Sequence, residues 1–413
     1  MIAVRSSGSS RFTISDSQNL LSAICHLSSP QSGVVCDLLN PRPMLPRALY
    51  FASFFLVLLG RSIADEVNPS ISPTVDHPLK VKVVVVVMFE VGADTGDVPG
   101  EFQFWVERRK LAHVISLPSA YHDVRTDGSG LVGTVTGMGT AKAATSIMAL
   151  GLDPRFDFTQ AYWLVAGIAG IDPNRGTVGS AVWADYVVDG DLAHEIDSRE
   201  IPKDWPDGFT PLGKAVPFEQ PRRPSVGEVY TLNSGLVHWA YELTRSLRLA
   251  DNEKSEQDRI RYHGYPKALA GPEVLIGATL SSSTYWHGKL LNQWARDWVK
   301  YWTDGKGEYS TTAMEDTGTM QALTNLAKAG RADLNRVLVL RTASNFDSPP
   351  PEVSAAQDLK VQETGHYSAY LPSLEAAFVV GNRVASELLD HWDRYSVQIP
   401  GSNSESTPSP KSN

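Results

Sequence analysis

Four short stretches of this 413-residue chain combine glycine, carboxylate and amide groups in ways that could hold a sugar and a polar ring. Gly137-Met138-Gly139-Thr140-Ala141-Lys142-Ala143-Ala144 follows a predicted strand, 131–136, and opens a predicted helix. Glycines let the backbone turn tightly and approach a ligand, Thr140 suits a helix N-cap, and the free N–H groups of a helix start can face an anion or a sugar hydroxyl. Val165-Ala166-Gly167-Ile168-Ala169-Gly170-Ile171 reads as a Gly/Ala-rich turn at the end of a buried strand, where α/β sheets bind ligands, although small residues there would equally serve close packing. Ala313-Met314-Glu315-Asp316 sets a carboxylate beside an apolar side chain. A glutamate accepts two hydrogen bonds at once, which suits a vicinal diol, and it also suits the dipole of a helix start. Arg341-Thr342-Ala343-Ser344-Asn345-Phe346-Asp347, followed by three prolines, ends another predicted strand. Its amide and carboxyl groups could address ring nitrogens or simply cap a turn. A fifth, charged cluster at His194, Glu195, Asp197, Arg199 and Glu200 fits a solvated loop. The ten histidines form no HExxH or HxH pattern, so no metal site and no cofactor are expected.

These stretches need a frame, and the apolar pattern supplies one. Val81 to Val87 is β-branched, short and uniform, which describes a buried parallel strand rather than an amphipathic helix. Tyr162–Ala166, Ser180–Ala184 and Arg336–Leu340 repeat the signal, separated by segments with helical spacing. Ala141, Ala144, Thr145 and Met148 are expected on one helical face, as are Leu236, Ala240, Leu243 and Leu247, and Leu374, Phe378, Ala385 and Leu388. Alternation of strands and helices predicts an α/β body over 79–397, a mostly parallel mixed sheet flanked by helices. Residues 65–78 read as a polar linker and 398–413 as a Ser/Pro-rich tail.

With 37 Lys and Arg against 46 Asp and Glu, the net charge is −9, and no basic run marks a nucleic-acid polymer as partner. The two cysteines, Cys25 and Cys36, precede the body, which therefore holds no disulfide, Cys-ligated metal or Cys nucleophile. The apolar run Leu49–Leu59 lies between Arg42 and Arg47 on one side and Ser62-Ile63-Ala64 on the other, the pattern of a secretory signal over 44–64. It is shorter than the ~20 residues that span a bilayer. Translation is expected to start at Met44, with 1–43 a disordered leader or a gene-model extension, and the mature chain is expected in the secretory pathway, at the cell surface or outside the cell.

The order of the motifs resembles the nucleoside phosphorylase and nucleosidase superfamily, and the body as a whole is similar to its fungal purine nucleoside permease branch. The resemblance rests on Val87-Met88-Phe89-Glu90, the two Gly-rich stretches, Tyr285-Trp286, Met314-Glu315 and Arg341 to Asp347, over roughly 79–395. It implies a nucleoside-phosphorylase-like domain in which Glu315 takes the ribose hydroxyls, Met314 packs on the sugar, and Tyr285 with Trp286 stacks on the base. Gly137, Met138, Gly139, Ala166, Gly167, Ile168, Ala169, Gly170, Thr342 and Ser344 would line the substrate, and Asn345, Glu90 and Asp347 would be the catalytic candidates. Three departures bear on chemistry. Asn345 can donate a hydrogen bond to a purine but not a proton; Ile168 and Val165-Ala166 lack the side-chain donors that hold phosphate in related phosphorylases; and Gly92 stands where related nucleosidases keep an acid, with Glu90 and Asp94 nearby. The resemblance implies purine nucleosides as ligands, a homo-oligomer, and N-glycosidic cleavage by hydrolysis or with phosphate as co-substrate. Its alternative is a non-catalytic nucleoside-binding component that serves a separate membrane transporter.

Overall fold

In the computed structural model, which describes residues 72–402 other than 222 and 366, the valine run Val83–Val87 (β1) lies at the centre of the sheet with all five side chains buried. Each contributes about 1.5–3 kcal/mol relative to exposure. The readings of 1–43 and 44–64 lie outside the described residues, as does the tail from 403 onward. The other strands of the main sheet are His113–Ile115 (β2), Val124–Thr126 (β3), Leu131–Val135 (β4), Tyr162–Ile171 (β5), Ala181–Asp189 (β6), Val229–Thr231 (β7), Val274–Ser281 (β8), Tyr309–Ala313 (β9) and Val337–Phe346 (β10). Their order is β7-β6-β8-β9-β5-β1-β4-β3-β2, and β10 pairs with both β5 and β6.

The sheet is mixed. β1 runs parallel to β4 and β5, β5 to β10, and β8 to both β6 and β9; the outer pairs and the β5–β9 and β6–β10 contacts are antiparallel. Strands β6, β8, β9, β5 and β10 consequently close into a barrel, which the apolar runs did not reveal. Closure depends on length and bend: β5 and β10 pair from Trp163 to Ile171, and a register shift between Ala343 and Asn345 re-aims the end of β10. An irregularity of this kind increases local twist and redirects side chains. It also revises two sequence readings. The Gly/Ala-rich stretch 166–171 is strand and not a turn, and the strand expected over 336–340 runs on through the polar stretch to Phe346, because the two segments pair with each other except at the shift around Ser344.

Six longer helices cover the sheet: Thr140–Leu152 (α1), Ser234–Thr244 (α2), Lys289–Trp302 (α3), Asp316–Lys328 (α4), Ala355–Gly365 (α5) and Tyr370–Asp390 (α6). In α6 the expected face holds, with Leu374, Phe378, Ala385 and Leu388 buried. In α1 it does not: Ala143, Ser146, Ile147 and Leu150 are buried, while Ala141 and Thr145 are exposed. A helix this rich in small residues has no strong apolar stripe, and its contact with α4 decides which side turns inward. Thr140 is likewise the first helical residue rather than the cap, which is Gly139 at φ +95°. In α3, Trp294, Trp298 and Trp302 recur every fourth residue on the buried face, and pack with Trp286 and Tyr309 into a second apolar cluster. The Trp298 indole N–H donates to the Asp189 carbonyl at 2.8 Å, so burial of this ring leaves no polar atom unsatisfied.

Candidate functional site

Strand β9 leads through Met314 into α4, with Glu315 at the helix N-cap and Asp316 its first residue. Both carboxylates meet Arg341, from the middle of β10. Its guanidinium Nε lies 3.1 Å from both Asp316 oxygens, its Nη2 2.5 Å from Asp316 Oδ1 and 3.2 Å from Glu315 Oε2, and its Nη1 donates to the Ile168 carbonyl at 3.2 Å. Glu315 also accepts the Gly139 N–H at 3.1 Å and the Met314 N–H at 3.2 Å. A third carboxyl, Glu101, accepts the Met88 and Ile168 N–H groups, each at 2.7 Å. It lies against Gly167 beside the Arg341 guanidinium.

All these groups are buried, and burial disfavours charge. Burial therefore pushes the Glu101 carboxyl up to about 7, against the opposing pull of Arg341 and the two N–H donors. The Glu315 carboxyl is also raised, by burial and by Asp316, with Arg341 and the Gly139 and Met314 N–H groups opposing.

Close helix packing sets the position of Glu315. A Cβ on Gly318 of α4 would lie 2.1 Å from the Thr140 carbonyl oxygen, and one on Gly151 of α1 would lie 2.2 Å from Leu326 Cδ1. The backbone oxygen has no rotamer by which to yield. Gly318→Ala is therefore expected to part α1 from α4, loosen the Glu315–Gly139 contact and cost about 1–3 kcal/mol. Gly271→Ala, which points into open space, should be near neutral. Paired urea unfolding curves check this, and equal midpoints would remove the packing argument.

Beyond Met314 the site continues as a cleft of about 30 Å³, lined by Gly170, Thr284, Tyr285, Trp286, Thr312, Ala313, Met314, Asn345 and Asp347. That is room for about one water. Asn345 Nδ2 donates to the Phe346 carbonyl at 3.0 Å and to the Tyr285 hydroxyl at 3.1 Å, and Tyr285 donates to Gln362 Oε1 of α5 at 3.0 Å. Asp347 is buried, accepting from Asn292 at 2.9 and 3.0 Å and from the Tyr309 hydroxyl. Burial, with Asp172 nearby, pushes its carboxyl well above the usual range.

The structure thus gathers Glu315, Gly139, Gly167 and Ile168 around the Arg341 guanidinium, and Met314, Gly170, Tyr285, Trp286, Asn345 and Asp347 around the adjacent cleft. Ala169 and Ser344 adjoin it through the Ser344 hydroxyl, which reaches both the Ala169 carbonyl and Asn345 Oδ1. Gly137 and Met138 form its outer lip, with Met138 exposed, and Ala166 is packed in the core. Thr342 faces the other way, donating to the Ser373 carbonyl under α6. Glu90 is engaged elsewhere: its carboxylate accepts the N–H groups of Val91, Gly100, Phe102 and Gln103, fastening the loop that presents Glu101. The charged cluster near 197 is a surface feature, in which Asp197 pairs with Arg199. Sequence reasoning missed Glu101, which follows Pro99-Gly100 in a stretch without a motif, and Gln362, carried on a helix with a weak apolar face.

A closed, mixed α/β sheet with a buried, Arg-braced acidic cluster beside an amide-lined cleft is the class of protein this geometry defines. The family profile described as purine nucleoside permease matches residues 80–400. A purine nucleoside permease of Candida albicans is 31% identical over 297 residues, covering 70% of this chain and 72% of that one. A probable purine nucleoside permease of Schizosaccharomyces pombe is 32% identical over 265 residues, covering 62% and 75%. The chain belongs to the purine nucleoside permease family. Among solved structures, a 5'-methylthioadenosine/S-adenosylhomocysteine nucleosidase of Neisseria meningitidis is similar at TM-score 0.43 and 15% identity, covering 74% of this chain and all of that one. The futalosine hydrolase of Helicobacter pylori is similar at TM-score 0.45 and 12% identity, covering 74% and 98%.

Proposed function

We propose that this protein binds purine nucleosides and cleaves their N-glycosidic bond, as a step in nucleoside uptake. The observation that carries the reading is the set of buried carboxyls around one guanidinium, Glu315 bonded to it and Glu101 standing beside it, next to a cleft lined by Met314, Asn345 and Trp286. Cleavage passes through a ribosyl cation, which fixed carboxylates stabilise more than they stabilise the ground state. Glu315 is suited to the ribose diol. Glu101, titrating near neutrality, is suited to take a proton from an attacking water. Asn345 steadies the departing base, and Asp347, whose carboxyl burial raises well above the usual range, stands in the cleft wall beside it.

The reading makes water the acceptor in preference to phosphate, since the Ile168 N–H in the Gly-rich strand is already given to Glu101. In this reading a separate transporter carries the product inward; among the described residues no helix is long and apolar enough to cross a membrane. Secretion through the 44–64 signal and assembly as a homo-oligomer belong to the same proposal.

Incubating the full chain with adenosine, guanosine, inosine and uridine, with and without phosphate, and separating the products tests it. Free purine without phosphate is the expected result. A strict phosphate requirement would make it a phosphorylase, and saturable binding without product would make it the binding component of uptake. Glu315→Ala should weaken nucleoside binding by at least about a hundredfold, the lower end of the value of two hydrogen bonds to a charged acceptor. It should leave the circular dichroism spectrum unchanged, because Arg341 keeps Asp316 as its partner. Undiminished affinity in calorimetry would take Glu315 out of the site.

A further inference from the structure

Asn345, in the cleft wall, and Gln362, behind Tyr285, carry a donor and an acceptor whose orientations are fixed from behind. Gln362 Nε2 donates to Asp358 Oδ2 at 2.9 Å, one helical turn away. Asp358 is buried and held by Arg261 at 3.2 Å, with the His287 ring 3.1 Å away but making no hydrogen bond to it. A carboxylate only accepts, so the Gln362 amide must turn its NH₂ toward Asp358 and its carbonyl oxygen toward the cleft. Asn345 is fixed by the same logic, since Nδ2 must face the Phe346 carbonyl, which also only accepts. The pair is therefore a buried Asn345 N–H donor and a half-buried Gln362 C=O acceptor, which share a long hydrogen bond at 3.4 Å that a ligand edge would replace.

The Tyr285 hydroxyl now occupies that pair, accepting from Asn345 and donating to Gln362, with Tyr367 as a further hydroxyl neighbour. One accepting atom beside one donating atom is also what the edge of a 6-aminopurine offers, at N7 and the exocyclic amine. A 6-oxopurine offers two acceptors there, and its O6 would face the Gln362 oxygen without a proton between them. Resting on the purine nucleoside reading above, we infer that Gln362, positioned by Asp358, makes this site selective for 6-aminopurine nucleosides over 6-oxopurine nucleosides. Tyr285 is partly exposed and must withdraw for the base to enter, because the cleft it leaves is far smaller than a purine.

Calorimetric titration of the full chain with adenosine, inosine and guanosine tests the preference. Adenosine should bind at least about ten times more tightly than either oxopurine nucleoside, the range in which one mispaired hydrogen-bonding edge discriminates. Asp358→Asn lets the Gln362 amide turn over, so the adenosine-to-inosine ratio should fall to about threefold or less. Should that buried substitution impair folding, Gln362→Leu, at a half-buried position, should lower the ratio by weakening adenosine alone. Equal binding of all three by the wild type, or an unchanged ratio in Gln362→Leu, overturns the selectivity and leaves the purine reading standing. Absence of binding by every nucleoside overturns both.

Discussion

Arg341→Met should destabilise the protein by about 3–5 kcal/mol at pH 8, measured by urea unfolding, the cost of leaving buried charge without its partner. Arg341 is almost wholly enclosed and stands among Asp316, Glu315 and Glu101. Methionine fills much of the volume but offers none of the donors. The loss should shrink at pH 5, and the sign follows from the carboxyls. Glu101 and Glu315 are raised even with the guanidinium present, so without it they bind protons more tightly still, and acid relieves the repulsion by neutralising them. Arg341→Lys should fall between, since an ammonium restores the charge but not a fork that meets two carboxylates and the Ile168 carbonyl together. A loss under about 1 kcal/mol at pH 8 would mean the three acids are neutral already and need no counter-charge.

The features legible in the sequence are those that depend on local pattern. Val83–Val87 reads as a buried strand because β-branched uniformity leaves no other economical arrangement, and Gly137 to Thr140 reads as a strand-to-helix junction because glycine and a hydroxyl mark one. Met314-Glu315 reads as a helix start for the same reason, a carboxylate next to an apolar residue being visible in four letters, and Glu315 does stand at the N-cap. What escaped depends on contacts between distant segments. The barrel is closed by β10 meeting β6, and no property of Leu340 or Trp183 alone announces that they face each other. Glu90 reads as the acid of the first-strand loop because it ends the Val87-Met88-Phe89-Glu90 match and lies near Gly92. The chain instead folds back at Pro99-Gly100, so that Glu90 caps the turn and Glu101 reaches Arg341. Gln362 and Asp358 carry meaning only through Arg261, far away in sequence.

Glu101→Gln should cut nucleoside cleavage by about 10²–10⁴-fold, the usual contribution of a positioned general base. It should change adenosine affinity little, because Glu315 rather than Glu101 is suited to the sugar hydroxyls. The wild-type rate should climb as pH rises through about 7, where the Glu101 carboxyl becomes the carboxylate that can accept a proton, and the variant should lack that limb. Stability should run the opposite way. The folded chain keeps the Glu101 proton up to about 7, whereas the unfolded chain releases it near the ordinary 4.5. Between those values the folded state binds more protons than the unfolded state, so stability declines with rising pH, by roughly 3 kcal/mol in all if the whole shift is expressed. Glu101→Gln removes that slope whatever its own baseline, and the comparison therefore needs only unfolding curves at pH 5, 6, 7 and 8. Parallel pH dependences for wild type and variant would show that Glu101 is ionised throughout, held by the Met88 and Ile168 N–H groups and Arg341. In that case the carboxylate is a fixed counter-ion for the ribosyl cation and not the base.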